Sequence, residues 1–252
     1  MKIKEVMEIA LKAGEILLTS GAEVHRVEDT VTRICRSYNL VSECFVLPTG
    51  IFVTVTDKDG DPVSYIKRIR ERTVDLMKVE RINSFSRAIQ INPVTYHEAI
   101  KILNGIQSEK GFSLISRLIV AGITAFVYTL IFKGSIQEGI ASFIIGMLIF
   151  ISKEKIAKAG VFHFFEYFAS SMIAGIASFI AVRIYPYFDM YKIIISSIII
   201  LLPGVAITGA LKDALYGDLA SSQFRLTEAI FIAVAVGVGV AITLSIGFHW
   251  TR

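Results

Sequence analysis

The chain has 252 residues, 54% of them hydrophobic, and a formal net charge of +4. Its charges are unevenly spread: residues 1–111 carry 16 basic and 15 acidic side chains, whereas residues 112–252 carry only 10 and 7. Neither part has the basic excess typical of nucleic-acid binding, so no nucleic-acid partner is expected. We therefore expect two domains of different solvent class, 1–111 in water and 112–252 in a lipid bilayer.

The polar part has the pattern of a small α+β domain. Apolar residues at helical spacing predict a first helix that ends near Thr19. Ser20 and Glu23 have capping-box spacing, which predicts that a second helix begins there. Residues 43–56, ECFVLPTGIFVTVT, are β-branched and aromatic, and DKDGD at 57–61 turns the chain toward VSYIKRI, so three antiparallel strands are predicted. Further helices are predicted over 75–89 and 95–106.

A group of polar residues in the second helix is a possible site of the polar domain: His25, Arg26 and Glu28. His25, Glu28 and Asp29 have a spacing that could present metal ligands on one helix face. No second His or Cys cluster in the sequence completes a coordination set, so a polar contact is favoured and no metal is expected. The two cysteines, Cys35 and Cys44, lie in apolar patterns and are expected to be free thiols.

Five apolar segments follow, and we expect each to cross the membrane. They lie at about 118–132, 136–151, 161–185, 193–211 and 229–250. Basic residues in the loop KEKIAKAG and in the connection between the last two segments place those loops in the cytoplasm by the positive-inside rule. The polar domain would then be cytoplasmic and the C-terminus external, in a multi-pass protein of the plasma membrane.

The fourth segment, IIISSIIILLPGVAITGAL, is interrupted by Pro203 and Gly204. Proline has no backbone N–H and frees the carbonyl four residues back, that of Ile199. A polar opening is therefore expected inside the bilayer, which suggests a path for a polar solute.

Four carboxylates near the predicted membrane segments are candidates for a solute or ion path: Asp213, Asp218, Glu166 and Glu138. Intramembrane carboxylates are functional candidates by default. Each has a simpler alternative, since Asp213, Glu166 and Glu138 could be solvated at the interface and Asp218 could lie in a loop. Arg225 and Glu228, three residues apart, could simply pair on one helix face.

Two long motifs carry a family resemblance. SGAEVHRVEDTVTRI followed by FVLPTGIFVTV resembles the cytoplasmic domain of the threonine/serine exporter family, and LLPGVAITGALKDALYGDLASSQFRLTEA resembles that family's Pro-Gly helix. Members export small polar metabolites, threonine and serine in some and succinate in others. The resemblance implies a second, shorter membrane half as partner, on the same chain or as a separate subunit. Gly209 departs from the pattern, since many relatives have an asparagine there.

The last segment offers a surface for such a partner. Small residues recur every fourth position and would let another helix approach closely: Ala229, Ala233, Gly237, Ala241 and Ser245. If the partner has a similar design, the odd number of spans would insert the two halves in opposite orientation, as in inverted-repeat transporters.

The sequence thus predicts an α-helical membrane protein with about five transmembrane helices, one broken at Pro203-Gly204, and an N-terminal α+β cytoplasmic domain. The expected function is one half of a secondary transporter that exports small hydrophilic metabolites, not an enzyme. The sequence has no nucleotide-binding GxxxxGK[ST] loop that could couple ATP to transport, so we expect proton coupling. No cofactor is expected. The alternative is a membrane-tethered sensor or hydrolase that acts through the soluble domain.

Overall fold

The computed structural model describes residues 1–56, 62–109, 111–160 and 162–249. The chain forms two compact units. The first consists of Met1–Gly111 and Val205–Leu226, and the second of Phe112–Gly204 and the chain from Thr227 onward. The turn predicted over 57–61 lies outside the described residues.

Helices and a small sheet build the first 111 residues, as the sequence predicts. The elements are α1 (Ile3–Thr19), α2 (Val24–Ser37), β1 (Ser42–Leu47), β2 (Gly50–Thr56), β3 (Pro62–Arg68), α3 (Leu76–Ile91) and α4 (Tyr96–Ser108). The predicted helix starts at 75 and 95 are confirmed by capping, because the Asp75 and Thr95 side chains accept hydrogen bonds from the first turns of α3 and α4.

The sheet is antiparallel in the order β1-β2-β3, with β2 in the centre. Alternate residues of β2, Ile51, Val53 and Val55, are almost fully buried, while Phe52 between them is exposed. This period-two pattern gives the sheet one face toward the helices and one toward solvent. The apolar faces of α1, α2, α3 and α4 form a single core with it.

Helix α2 begins later than predicted. Ser20 lies at the end of α1, where its carbonyl accepts a hydrogen bond from Asp75 N at 3.0 Å. Glu23 occupies the N-cap of α2 and its side chain makes no capping bond. The capping box predicted from Ser20 and Glu23 was therefore wrong, since the chain uses Ser20 to close the preceding helix.

Long apolar helices build most of the remaining chain: α5 (Leu114–Ile131), α6 (Ile136–Lys158), α7 (His163–Ile184), α8 (Met190–Ile198), a 3₁₀ turn (Ile199–Leu201), α9 (Gly204–Leu215) and α10 (Leu219–His249). Among the described residues, α5, α7 and α10 are long and apolar enough to cross a membrane. The pair α8–α9, bent at its break, would make a fourth span. The sequence analysis predicted about five membrane spans. Helix α6, predicted as the second span, is not among the candidate spans, and it carries charged residues near both ends.

Glycines let the helices of the second unit approach closely. A Cβ atom added to Gly146 of α6 would lie 2.9 Å from the Ala125 Cβ of α5, and one added to Gly239 of α10 would lie 2.1 Å from the Ser171 Oγ of α7. No side chain fits at either contact. Van der Waals packing of small residues is the main attraction available between helices in lipid.

The break in the fourth segment is present, but its carbonyl is not left free. The Ile199 carbonyl accepts a hydrogen bond from Leu202 N at 3.2 Å, because the last turn before Pro203 tightens into a 3₁₀ turn. The expected polar opening at Ile199 was wrong in this detail. An added Cβ at Gly204, directly after the break, would meet nothing within 4 Å.

Candidate functional site

Helix α2 begins without a cap from its own residues, and the first acceptor comes from elsewhere in the chain. First-turn N–H groups of a helix have no intrahelical partner and carry partial positive charge. The Oδ1 atom of Asp213 in α9 accepts a hydrogen bond from Val24 N at 3.3 Å. A carboxylate 189 residues away in sequence therefore takes the place of an N-cap at α2.

Asp213 also faces a buried cation. Asp213 is 0% exposed and Arg225 only 6%, and the Arg225 Nε lies 2.9 Å from the Asp213 Oδ2. Arg225 Nη2 donates to the Ala22 carbonyl at 2.7 Å. Between the two charged residues, Gly217 adopts a φ of +90° and reverses the chain, which brings them together. Arg225 therefore has a buried acidic partner in Asp213, and its expected pairing with Glu228 stays a prediction.

Gly209 makes room for this ion pair. It lies four residues before Asp213, on the same buried face of α9. A Cβ at Gly209 would lie 3.0 Å from Arg225 Nη1, closer than a side chain normally allows. Glycine at this position therefore allows the close approach of the Arg225 guanidinium.

Polar contacts surround the buried pair. Lys212 Nζ lies 2.8 Å from Glu23 Oε1, and the His25 and Tyr216 rings stack with centroids 3.7 Å apart. Burial alone would raise the pKa of Glu23, but the hydrogen bond from Lys212 and the charge of Arg26 hold it below its usual range. Glu23 is therefore ionised at neutral pH and attracts Lys212.

We name these contacts the α2–α9 junction. It comprises residues 22–25 at the start of α2 together with Gly209, Lys212, Asp213, Tyr216 and Arg225.

Glu28 lies one turn further along α2 and has a different environment. Burial raises the pKa of Glu28, the hydrogen bond from Val46 N at 2.8 Å opposes this, and the Asp218 and Asp29 carboxylates raise it further. Burial and the Glu28 charge raise the pKa of the Cys44 thiol to about 12. Both cysteines are free, as predicted. Within the described ranges, no group of three or more His, Cys, Asp or Glu residues could hold a metal ion.

Glu138 and Glu166 lie in the second unit, each in the first turn of a helix. Glu138 forms a capping box with Ser135 and accepts a hydrogen bond from Asp189 N at 2.6 Å, so it joins the starts of α6 and α8. Glu166 Oε2 lies 3.6 Å from His163 Nδ1. Both carboxylates are largely buried, at 5% and 7% exposure.

The second unit also contains buried hydroxyl groups that the sequence analysis did not consider. Five serines on α6, α7 and α8 are 0% exposed, and their hydroxyl oxygens have no hydrogen-bond partner among the described residues: Ser142, Ser170, Ser178, Ser196 and Ser197. The three helices that carry them pack against one another. We call them the serine set. Unsatisfied buried hydroxyls are costly, so such a set has the chemistry to hydrogen-bond a polar solute.

The structure brings together only part of the predicted site. Junction contacts or their immediate neighbours involve Gly209, Asp213, Asp218, His25, Arg26 and Glu28. Pro203 and Gly204 stand at the helix break, and Glu138 and Glu166 at helix starts. The sequence analysis did not predict the Asp213–Arg225 pair. The signal for it is two opposite charges on either side of the glycine turn in LKDALYGDLASSQFR.

Comparison with known proteins agrees with this architecture. The model of a family described as "Putative threonine/serine exporter" matches residues 8–247, which is nearly the whole chain. The chain belongs to the threonine/serine exporter family. No solved structure is detectably similar to it.

Two relatives of this exporter family are considerably longer. A protein of Mycobacterium tuberculosis described as a "Probable threonine/serine exporter" is 23% identical over 236 residues, which cover 91% of this chain and 44% of the relative. The "Threonine/serine exporter" of Corynebacterium glutamicum is 23% identical over 237 residues, covering 91% and 48%. The chain thus spans less than half the length of these two exporters.

Proposed function

We propose that this chain is the cytoplasmic-domain half of a secondary transporter that exports threonine, serine or short carboxylates. The observation that supports this most is the broken helix α8–α9, whose second part contacts α2 through Asp213, which accepts a hydrogen bond from Val24 N and pairs with the buried Arg225. Family membership supports the choice of small polar metabolites. Residues 1–111 would form the cytoplasmic domain and residues 112–252 the membrane domain.

The break and the serine set supply groups suited to such solutes. The Gly204 N–H donates to the Leu202 carbonyl at 2.9 Å. The first turn of α9 after Gly204 provides further backbone N–H groups and the positive end of a helix dipole, which favours a carboxylate. Serine hydroxyls can donate to or accept from the hydroxyl and ammonium groups of a hydroxy amino acid. A bound solute would then supply hydrogen-bond partners for the buried serine hydroxyls.

The junction gives the soluble domain a mechanical role in this proposal. Asp213 and Lys212 lie in the last turn of α9, and both contact the start of α2. A shift of α2 would therefore act on the last turn of α9. Proton movement is the proposed drive, with Asp213, Asp218, Glu166 and Glu138 as the candidate carboxylates.

A second membrane half completes the proposed transporter, on the same chain or as a separate subunit. The two relatives, each more than twice the matched length, support it. The small-residue face of α10 offers the surface. Ala233, Gly237, Ala241 and Ser245 are exposed, and an added Cβ at Gly237 would meet nothing within 4 Å.

Orientation is proposed from the loop charges, with the polar domain and the loop at 153–158 in the cytoplasm. Reporter fusions after residues 110, 156 and 252 test it. The first two should report the cytoplasm and the last the exterior. Fusions after 110 and 252 on the same side would exclude the five-span arrangement.

Export from intact cells tests the function itself. Cells loaded with labelled threonine, serine or succinate would carry the chain alone, the chain with a second half, or neither. We expect efflux above background only with both halves. No increase for any of the three solutes, with both halves in the membrane, would reject the proposal.

A further inference from the structure

An open groove with apolar walls runs along the outside of α5. Its volume is about 470 Å³, within the range of ligand-binding pockets. Val120 and Ala121 of α5, Phe150 of α6 and Ile200 of the 3₁₀ turn form its walls. Little of this lining is polar, so the groove does not match a zwitterionic amino acid, which would need a polar partner for each charge.

One end of the groove is charged. Arg117, in the first turn of α5, lines it together with Ser116. The Arg117 guanidinium lies 5.5 Å from the Phe150 ring centroid and binds Glu154 through Nη1 at 2.8 Å. An apolar channel with a cation at one end has the polarity of a phospholipid, acyl chain inward and phosphate outward.

The surrounding charge favours an anionic headgroup. The last two turns of α6 carry three basic residues, Lys153, Lys155 and Lys158, and one acidic residue, Glu154. Lys153 Nζ binds the Tyr167 hydroxyl at 3.1 Å, and Arg117 is the charged residue of the groove lining. Together with Arg117, this end of α6 has a net positive charge. Basic pockets between transmembrane helices are a recognised way to bind acidic lipid headgroups.

We propose that this groove binds an anionic phospholipid, with one acyl chain between α5 and α6 and its phosphate on Arg117. Glu154 competes with the phosphate for the guanidinium and so weakens the binding. The site is independent of the exported solute. Because Ile200 lies three residues before Pro203, in the 3₁₀ turn at the break, the lipid would contact the segment that the proposed transport cycle moves.

Native mass spectrometry of the purified full chain in detergent tests this, with phosphatidylglycerol and phosphatidylethanolamine as probes. Phosphatidylglycerol should bind more tightly. Arg117→Gln should weaken it about fivefold, as expected for one basic side chain at an anionic surface, whereas Glu154→Gln should strengthen it. Arg183→Gln, at the far end of α7, is the charge control and should change nothing.

A steric pair locates the site. Val120→Trp fills the groove and should abolish preferential binding, while Ile123→Trp, also exposed on α5 but outside the lining, should not. Equal binding of the two lipids, or equal effects of the two tryptophans, would overturn the proposal. Displacement of the lipid by free threonine or serine would instead assign the groove to the solute, and would also overturn it.

Discussion

At the scale of single residues, the most consequential feature is a buried charge pair at the start of a helix that has no side-chain cap of its own. Asp213 meets both the Val24 N–H and the Arg225 guanidinium. Such pairs stabilise weakly compared with apolar packing, yet removal of one partner leaves a buried charge without its counter-charge. The junction is therefore sensitive to loss of either member.

Asp213→Asn keeps the shape and an acceptor for Val24 N but removes the charge opposite Arg225. We expect the free energy of unfolding to fall by about 3–5 kcal/mol and export to fall with it. Thermal unfolding of the purified chain and cellular efflux are the measurements. Lys212→Gln is the control, because the Lys212 side chain is largely exposed and loss of such an ion pair should cost at most about 1 kcal/mol. Equal effects of the two substitutions would contradict a buried, structural pair.

The serine set gives a prediction with opposite signs for stability and transport. Ser196→Ala combined with Ser197→Ala removes two buried hydroxyls that have no partner in the described part of the chain. Stability should be unchanged or slightly higher, since no hydrogen bond is lost. Efflux should fall if solute binds there. Ser152→Ala is the control, since its exposed hydroxyl donates to the Leu148 carbonyl. Unchanged efflux would remove the serines from the path.

At the scale of elements, the break at Pro203 separates two helices that otherwise form one apolar run. Pro203→Ala restores a backbone N–H and permits a continuous helix. The chain should be no less stable, since proline in a helix interior costs about 3 kcal/mol relative to alanine. Export should fall strongly, since the half-helix end at Gly204 disappears. Pro186→Ala, in the α7–α8 connection, is the control and should leave efflux unchanged. Normal efflux by the Pro203→Ala variant at equal protein level would show that transport does not need the break.

The α10 face predicts a partner contact. Gly237→Leu adds a bulky side chain where the chain itself has open space, so it should block close helix approach without unfolding the chain. Co-purification of the second half should be lost. Val234→Leu, on an exposed part of the same helix, should leave it intact. If the Gly237 variant still binds the second half normally, the small-residue face is not the interface.

Elements with strong local signals were predictable from the sequence. The strands over 42–68 follow from β-branched residues around Pro-Thr-Gly, and the helix start at Thr95 follows from the preceding Asn92-Pro93. The Ser20 capping box failed because the same serine can also close the preceding helix. Local rules cannot decide between two such uses when tertiary contacts, here with Asp75, select one.

The site was less predictable than the fold because its contacts are distant in sequence. Asp213 could be singled out as a carboxylate in an apolar region, but its partners Val24 and Arg225 lie 189 residues before it and 12 residues after it. Only the folded chain shows that α9 supplies the missing cap of α2. The serines gave no signal, because serine in a membrane helix is common and its burial depends on helix rotation.

At the scale of the whole molecule, transport should require more than this chain. Alternating access between two repeats needs both of them around a shared site. The chain matches less than half the length of the two exporters to which it is similar. We therefore expect that this chain alone, although folded, leaves the solute path incomplete.

Flux into liposomes made from defined components tests this central claim most directly. The purified chain, the second half, and both together would be reconstituted at equal protein amounts, and uptake of labelled threonine, serine and succinate would be measured with and without a proton gradient. We expect flux only when both halves are present, and we expect Pro203→Ala to abolish it. Flux of similar rate from this chain alone would contradict it and would favour a self-sufficient oligomer.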